Sequence, residues 1–381
     1  MRSEKVVWMR TPGRIPELDG LRAMAVLMVI ADHYFSWIPY SGARFGWLGV
    51  DLFFILSGFL ITTILLGLRD KEEYFRTFYA RRALRIFPPY YLCLAVYFTV
   101  SLAMGKPGTV GLWMQYVFYY TSLQVGQPSI LHHPAVFNAG VAMGIAVLWS
   151  LSVEEIYYTV WAPVVRFFSM RGVWATVVGM IVVAPMLRWH FHTPEFPETY
   201  TFYCRMDGLG FGSLIALVHA REQQGDERMQ RVALWMRSAW PVLLLLWLAV
   251  AIPAHADQAS RVFNTFGISL ADAFFASMVF AVIGSTGGSG IVARLLRMEW
   301  LRSIGKVSYT LYLVHYPIRV LTIWVFEEWM HTGLSRRMTA LAESLVGIVV
   351  SLAIAYLSWN LMESRILRWK DRHVPSKAHV S

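Results

Sequence analysis

Apolar residues dominate this chain in stretches of about 20, the length that crosses the hydrocarbon core of a membrane as an α-helix. Strands of a membrane barrel alternate in polarity and are only about 10 residues long, so they do not explain these stretches. The pattern predicts an all-α, polytopic integral membrane protein with about ten transmembrane helices in one bundle. The predicted spans are residues 19–38, 46–68, 84–104, 142–168, 173–191, 205–220, 239–255, 267–285, 307–328 and 341–364.

The spans divide the chain into a basic N-terminal segment (1–18), a transmembrane domain (19–364) and a basic tail (365–381). The longest connection, 105–141, contains an aromatic stretch that is too short to cross the membrane, and we expect it to lie at the interface over the bundle. The first span is a poor signal peptide because it carries Arg22, Asp32 and His33, so we expect it to stay in the membrane.

Composition agrees with a membrane protein, since 56% of the residues are apolar and only 15% are charged. The net charge of +10 would also suit a nucleic-acid-binding protein. Most of the 34 lysines and arginines, however, lie on one side of the predicted spans, in alternate loops, and the opposite side holds few, among them Arg188 and Arg205 near the ends of two spans. This positive-inside pattern places both termini in the cytoplasm and explains the charge without nucleic acid.

Two cysteines, Cys93 and Cys204, lack the spacing of metal ligands, and we expect two inert thiols and no metal. The more informative polar residues are in the first span. Arg22 and His33 lie eleven residues apart, on one stripe of a helix and about 16 Å apart along its axis. Asp19 is one turn from Arg22. Because an arginine in hydrocarbon is unfavourable unless it is paired or hydrated, these groups predict a polar cavity.

Other polar groups interrupt the remaining spans. Three arginines, Arg81, Arg82 and Arg85, precede the third span, and Arg82 and Arg85 are one turn apart, a spacing that can grip phosphate. Two adjacent carboxylates, Glu154 and Glu155, lie at membrane depth. Further candidates are Asp51, Ser57, Arg205, Asp207, Tyr309, Tyr312 and His315.

Several of these motifs together resemble those of the acyltransferase-3 family of integral membrane acyltransferases. They are the segment 16–22 followed by His33, the segment 49–58, the Arg-x-x-Arg pair, Trp-Ser-Leu-Ser-Val-Glu-Glu at 149–155, and Ser-Tyr-x-Leu-Tyr-Leu-x-His at 308–315. The resemblance covers roughly residues 14–365. It implies a multi-pass protein of the bacterial cytoplasmic membrane that moves an acyl group, often acetyl from acetyl-CoA, to sugars, lipids or small molecules.

Acyl transfer to a hydroxyl needs a base that titrates near the working pH, and His33 fits that role or that of a transient acyl carrier. Arg22 can hold the donor, and Asp19 and Glu154 complete the expected catalytic group. Arg81, Arg82 and Arg85 suit the phosphates of CoA, because guanidinium matches phosphate oxygens. The acceptor is expected to be a glycan, a lipid-linked sugar or a small molecule. Its expected contacts are Asp51, Ser57, Glu155, Arg205, Asp207, Tyr309, Tyr312 and His315.

Other interpretations stay open at this point. Intramembrane charges also mark transport paths, so a transporter or exporter of a polar substrate is the main alternative. Arg22 can be an ion-pair partner of Asp19 or Asp51, and Glu154 and Glu155 can orient His33, contact the acceptor, or stabilise the bundle through Arg205. The loop histidines His132 and His133 are expected to have no catalytic role.

Overall fold

A computed structural model describes residues 15–39, 41–103, 105, 109–123, 145–193, 200–254, 256–257, 259–285, 290–329 and 335–374. These residues are helical throughout their regular structure, with no strand among them, and the predicted all-α class is confirmed. The histidines at 132 and 133 and most of the segment 105–141 lie outside the described residues.

Fourteen α-helices are described, which we number in chain order. They are α1 (Pro16–Phe35), α2 (Gly49–Leu68), α3 (Tyr74–Ala103), α4 (Val110–Val117), α5 (Trp149–Phe167), α6 (Met170–Phe191), α7 (Phe202–Gln223), α8 (Glu227–Ser238), α9 (Trp240–Ala251), α10 (Ile268–Gly284), α11 (Ile291–Leu296), α12 (Glu299–Trp329), α13 (Arg336–Ser358) and α14 (Ser364–His373). A 3-10 segment, Gly42–Leu48, leads into α2, and wider π turns at Phe263–Gly267 and Trp359–Glu363 adjoin α10 and α14.

Five of the described helical segments are long and apolar enough to cross a membrane: Gly42–Leu68, Tyr74–Ala103, Met170–Phe191, Phe263–Gly284 and Arg336–His373. A sixth is possible if α8 and α9, which meet at a bend of 49°, form one span. By length and composition, therefore, five or six of the predicted spans are supported. The helices α1, α5, α7 and α12 are present but are not among them.

The helix ends differ from the predicted span ends in both directions: α2, α5, α9 and α10 lie within their spans, whereas α7 and α12 extend beyond theirs at both ends. The largest difference is in α3, which begins at Tyr74 rather than near residue 84, because the arginine-rich stretch continues the helix. The helix also runs through Pro88 and Pro89 without ending. Helix ends are set by local capping as well as by apolar length: the side chain of Asp226, for example, accepts hydrogen bonds from the first turn of α8.

Small residues allow the central helices to pack closely. A Cβ atom at Gly58 of α2 would collide with the backbone carbonyl of Leu209 in α7, and one at Gly212 of α7 would collide with that of Ile55 in α2. A second close contact lies between Gly305 of α12 and the carbonyl of Asp19 in α1. These contacts pack α2 closely against α7, and α12 closely against α1.

Candidate active site

A cavity of about 560 Å³, the large cavity, lies where the first turns of α1 meet α2, α3, α12 and α14. Its walls carry both signs of charge. The charged lining residues are Asp19, Arg22, Arg85, Lys306 and Glu363. Apolar residues from the start of α1 and from α14 complete the wall, among them Ile15, Leu18, Ile366 and Leu367. Three basic groups against two carboxylates make the cavity suitable for an anion.

A second cavity of about 100 Å³, the small cavity, lies between α1, α2, α3, α5 and α12. It shares Arg22, Leu60, Arg85 and Tyr309 with the large cavity, so the two spaces are neighbours. Its other polar lining residues are Ser57, Arg82, Ser150, Glu154, Tyr158, Ser308 and Tyr312. Three guanidinium groups therefore surround a space that has one carboxylate, Glu154, in its wall.

The predicted pairing on α1 is present, since a nitrogen of Arg22 lies 3.7 Å from a carboxylate oxygen of Asp19. The three candidate arginines of α3 have different surroundings. The guanidinium of Arg82 lies over the ring of Tyr158 at 5.1 Å, and that of Arg85 lines both cavities. Arg81 instead forms an ion pair of 2.7 Å with Asp371 of α14, donates to the carbonyl of Val374, and lines neither cavity.

A chain of hydrogen bonds crosses the small cavity. The hydroxyl of Tyr158 donates to Oε2 of Glu154 at 2.8 Å, and this leaves the hydroxyl of Ser57 to donate to Tyr158 at 2.6 Å. Glu154 is thus held by Tyr158, one turn further along α5, and not by Arg205. The neighbouring Glu155 lines neither cavity, and its Oε1 is buried with no partner among the described residues.

Two tyrosines of α12 also face the small cavity. The hydroxyl of Tyr309 donates to the carbonyl of Ile86 at 3.0 Å. That of Tyr312 donates to the carbonyl of Val147 at 2.9 Å and lies 2.7 Å from the hydroxyl of Ser150. Both rings are therefore fixed in place by bonds to the backbone of neighbouring segments.

His33 lies further along α1 and lines neither cavity. Its Nδ1 is 2.8 Å from Nε2 of His315, and the two rings are stacked with their centres 5.0 Å apart. The ring of Tyr316 packs edge-on against His33 at 4.8 Å. His315 in turn lies 5.4 Å from the ring of Tyr312, which does line the small cavity. Tyr312 and His315 thus connect the small cavity to His33.

The remaining candidates, Asp51, Arg205 and Asp207, lie together in a different place. Asp51 forms a buried ion pair with Arg205. Asp207 forms another with Arg188, through bonds of 3.0 and 2.6 Å, and Arg188 and Asp207 are both fully buried. None of these residues lines either cavity. Arg188 and Arg205, which the sequence-based charge count placed on the side with few basic residues, are buried in α6 and α7, and each is paired with an aspartate.

Sequence reasoning missed several residues of the site. Tyr158 could have been found, since it follows Glu154 by four residues and so shares its helix face. Glu363 and Lys306 gave no such signal, because only the tertiary fold brings them to the large cavity. Glu363 is held there by hydrogen bonds from Thr310 at 2.7 Å and Ser358 at 2.9 Å. Within the described part of the chain, no group of three or more His, Cys, Asp or Glu side chains could hold a metal ion.

Comparison with known proteins identifies related sequences over nearly the whole chain. The profile of the acyltransferase-3 family, described as an acyltransferase domain, matches residues 15–360. The O-acetyltransferase OatA of Staphylococcus aureus (strain NCTC 8325 / PS 47) is 29% identical over 341 residues, which cover 82% of this chain and 52% of that protein. The peptidoglycan O-acetyltransferase OatA of Listeria monocytogenes is 26% identical over 367 residues, covering 92% of this chain and 56% of that protein.

This chain therefore spans little more than half the length of these two relatives. No solved structure matches it.

Proposed function

The chain belongs to the acyltransferase-3 family and is an acyltransferase, and we propose that it moves an acetyl group from cytoplasmic acetyl-CoA, or a related acyl-CoA, to a hydroxyl of an envelope glycan. The names of its relatives favour a glycan acceptor, because one of them is a peptidoglycan O-acetyltransferase. Lipid-linked sugars and small molecules have the same reactive hydroxyl and remain within the proposal. The observation that carries the proposal is that Arg22 and Arg85 line two adjoining cavities.

The topology we propose has ten spans. The five apolar segments, the bent pair α8–α9 and the four more polar helices α1, α5, α7 and α12 add up to this number. The polar helices can cross because many of their charges are paired inside the bundle, as in Arg22–Asp19 and Arg205–Asp51. Ile15 and Leu18 line the same cavity as Ile366 and Leu367, which supports placing both ends of the described chain at one face. The basic residues of this face favour the cytoplasm.

The large cavity is the proposed donor site. Its lining includes Arg85 of α3 and Lys306 of α12, which can bind the phosphates of CoA. The acyl-pantetheine arm then extends past Arg22 into the small cavity, where Glu154, Tyr158 and Ser57 form its polar wall. Arg82 is part of the same wall, whereas Arg81 attaches α14 to α3.

His33 is the proposed base. It takes the proton of the acceptor hydroxyl as that oxygen attacks the thioester carbonyl, or it carries the acyl group briefly itself. His33 lines neither cavity and contacts His315, which lies beside Tyr312 of the small cavity, so the proposal requires the acyl group to pass these rings. The acceptor is proposed to approach His33 from the face opposite the donor.

The test uses the full chain, purified in nanodiscs, with acetyl-CoA labelled in its acetyl group. We expect release of CoA and transfer of label to a glycan acceptor, both abolished in His33→Ala. His219→Ala is the matched control, because His219 lies on α7 beside Glu222 and lines neither cavity, and it should keep full activity. Unchanged CoA release in a well-folded His33→Ala variant would refute the role of His33. A protein that binds no acetyl-CoA and releases no CoA would instead support the transporter alternative.

A further inference from the structure

The contacts of His315 determine which of its nitrogens carries the proton. Nδ1 of His315 lies 2.7 Å from the backbone carbonyl of Tyr312. A carbonyl oxygen only accepts hydrogen bonds, so this nitrogen must be the protonated one. Nε2 of His315, on the other side of the ring, faces Nδ1 of His33 at 2.8 Å.

The environment of His315 disfavours a second proton on its ring. The side chain is fully buried, and no carboxylate of the described residues lies within ion-pair distance of it. A buried imidazolium without a counter-charge is strongly unfavourable. His315 is therefore neutral with a bare Nε2, and the bond between the two rings must be donated by Nδ1–H of His33. A neutral His33 then has its lone pair on Nε2.

We propose that His315 is a positioning residue that holds His33 in the tautomer whose Nε2 is free to accept a proton. This inference rests on the proposed role of His33 as the base. Nε2 takes the proton of the acceptor hydroxyl while the C–O bond forms and the C–S bond of the thioester breaks. The CoA thiolate leaves and recovers that proton, so His33 ends as it began. His315 accepts the hydrogen bond from Nδ1 throughout.

Hydrogen bonds between the neighbouring helices hold His33 and His315 in position. The hydroxyl of Tyr34, the residue after His33, donates to the backbone carbonyl of His315 at 2.6 Å and ties α1 to α12. The hydroxyl of Ser344 in α13 donates to the carbonyl of Tyr34 at 2.9 Å. The ring of Tyr316 covers another side of His33. No described residue makes a hydrogen bond to Nε2 of His33, which leaves this atom for the substrate.

Truncation and rescue test this role. His315→Ala should lower acetyl transfer by about 100-fold, the scale on which loss of a histidine-orienting partner acts at other sites. Nδ1-methylhistidine at position 33, placed in the His315→Ala background, has its lone pair on Nε2 by construction, and the space left by the truncated ring can take the methyl group. This double variant should recover at least tenfold over His315→Ala alone. His219→Ala again serves as the control for removing a histidine.

A spectroscopic measurement gives an answer that does not depend on turnover. The ¹⁵N shifts of the His33 ring, assigned by comparison with His33→Gln, should show Nδ1 protonated and Nε2 bare, and a mixture of tautomers in His315→Ala. Wild-type turnover in His315→Ala, or failure of the methylated residue to rescue a folded variant, would overturn the inference. If His33→Ala is inactive in the same assays, the proposed function survives that failure.

Discussion

Replacing Asp207 by asparagine distinguishes a structural role for this residue from the predicted role in binding the acceptor. In the structure, Arg188 and Asp207 have no exposed side-chain surface and are joined by two hydrogen bonds, of 3.0 and 2.6 Å. Ser269 donates a third bond to the carboxylate at 2.7 Å. Asp207→Asn leaves the buried guanidinium without its counter-charge, and breaking a buried pair in this way typically costs about 3–5 kcal/mol.

The assay is unfolding of the purified protein in detergent, followed by tryptophan fluorescence, together with the KM for the acceptor. Glu73→Gln is the matched control, because it removes a carboxylate from an exposed ion pair with Arg76, at 3.0 Å. This change should lower the free energy of unfolding by less than about 1 kcal/mol. The double variant Arg188→Met/Asp207→Leu should recover about 2 kcal/mol or more, since it removes both charges. If Asp207→Asn unfolds like the wild type while the acceptor KM rises, our structural interpretation is wrong.

Three further predictions concern the cavities and the packing around them. Arg85→Gln should raise the KM for acetyl-CoA at least tenfold in initial-rate measurements, whereas Arg76→Gln, on the exposed start of the same helix, should not. If both variants have the same KM for acetyl-CoA, Arg85 is not part of the donor site. Tyr158→Phe should lower kcat about tenfold with little change in the free energy of unfolding, because it removes the hydrogen bonds to Glu154 and Ser57. An unchanged kcat would show that these hydrogen bonds do not contribute to catalysis. Gly212→Leu should destabilise the protein by about 1–3 kcal/mol in the same unfolding assay, because its side chain would collide with α2. An unfolding midpoint equal to that of the wild type would mean that α2 and α7 are less tightly packed than described.

Apolar periodicity predicted the helices well, because a long apolar stretch in this context can only be a buried or lipid-facing helix. It predicted their ends poorly. The basic start of α3 and the polar start of α12 are helical outside the predicted spans, since charged residues do not prevent a helix from continuing into water. The pairing of Arg22 with Asp19 could be predicted because both partners are on one helix turn.

Partners on different helices could not be predicted in this way. The bond between His33 and His315 joins residues 282 positions apart, and nothing local to either residue indicates the other. The same holds for Arg188, which lies near the end of an apolar stretch on α6, whereas its partner Asp207 lies on α7. Their polarity within apolar spans brought Asp51, Asp207 and Arg205 into one list with the cavity residues, although the structure places them in a separate buried group.

Helix α12 carries Tyr309, Tyr312 and His315 at intervals of three residues. The two tyrosines that line the small cavity and the histidine that contacts His33 therefore belong to one continuous helix. Inserting or deleting one residue between Tyr312 and His315 would rotate the C-terminal part of α12 by about 100° and move the ring of His315 away from His33. Insertions and deletions among natural homologues should therefore be absent between Tyr312 and His315 and confined to the loops at either end of α12.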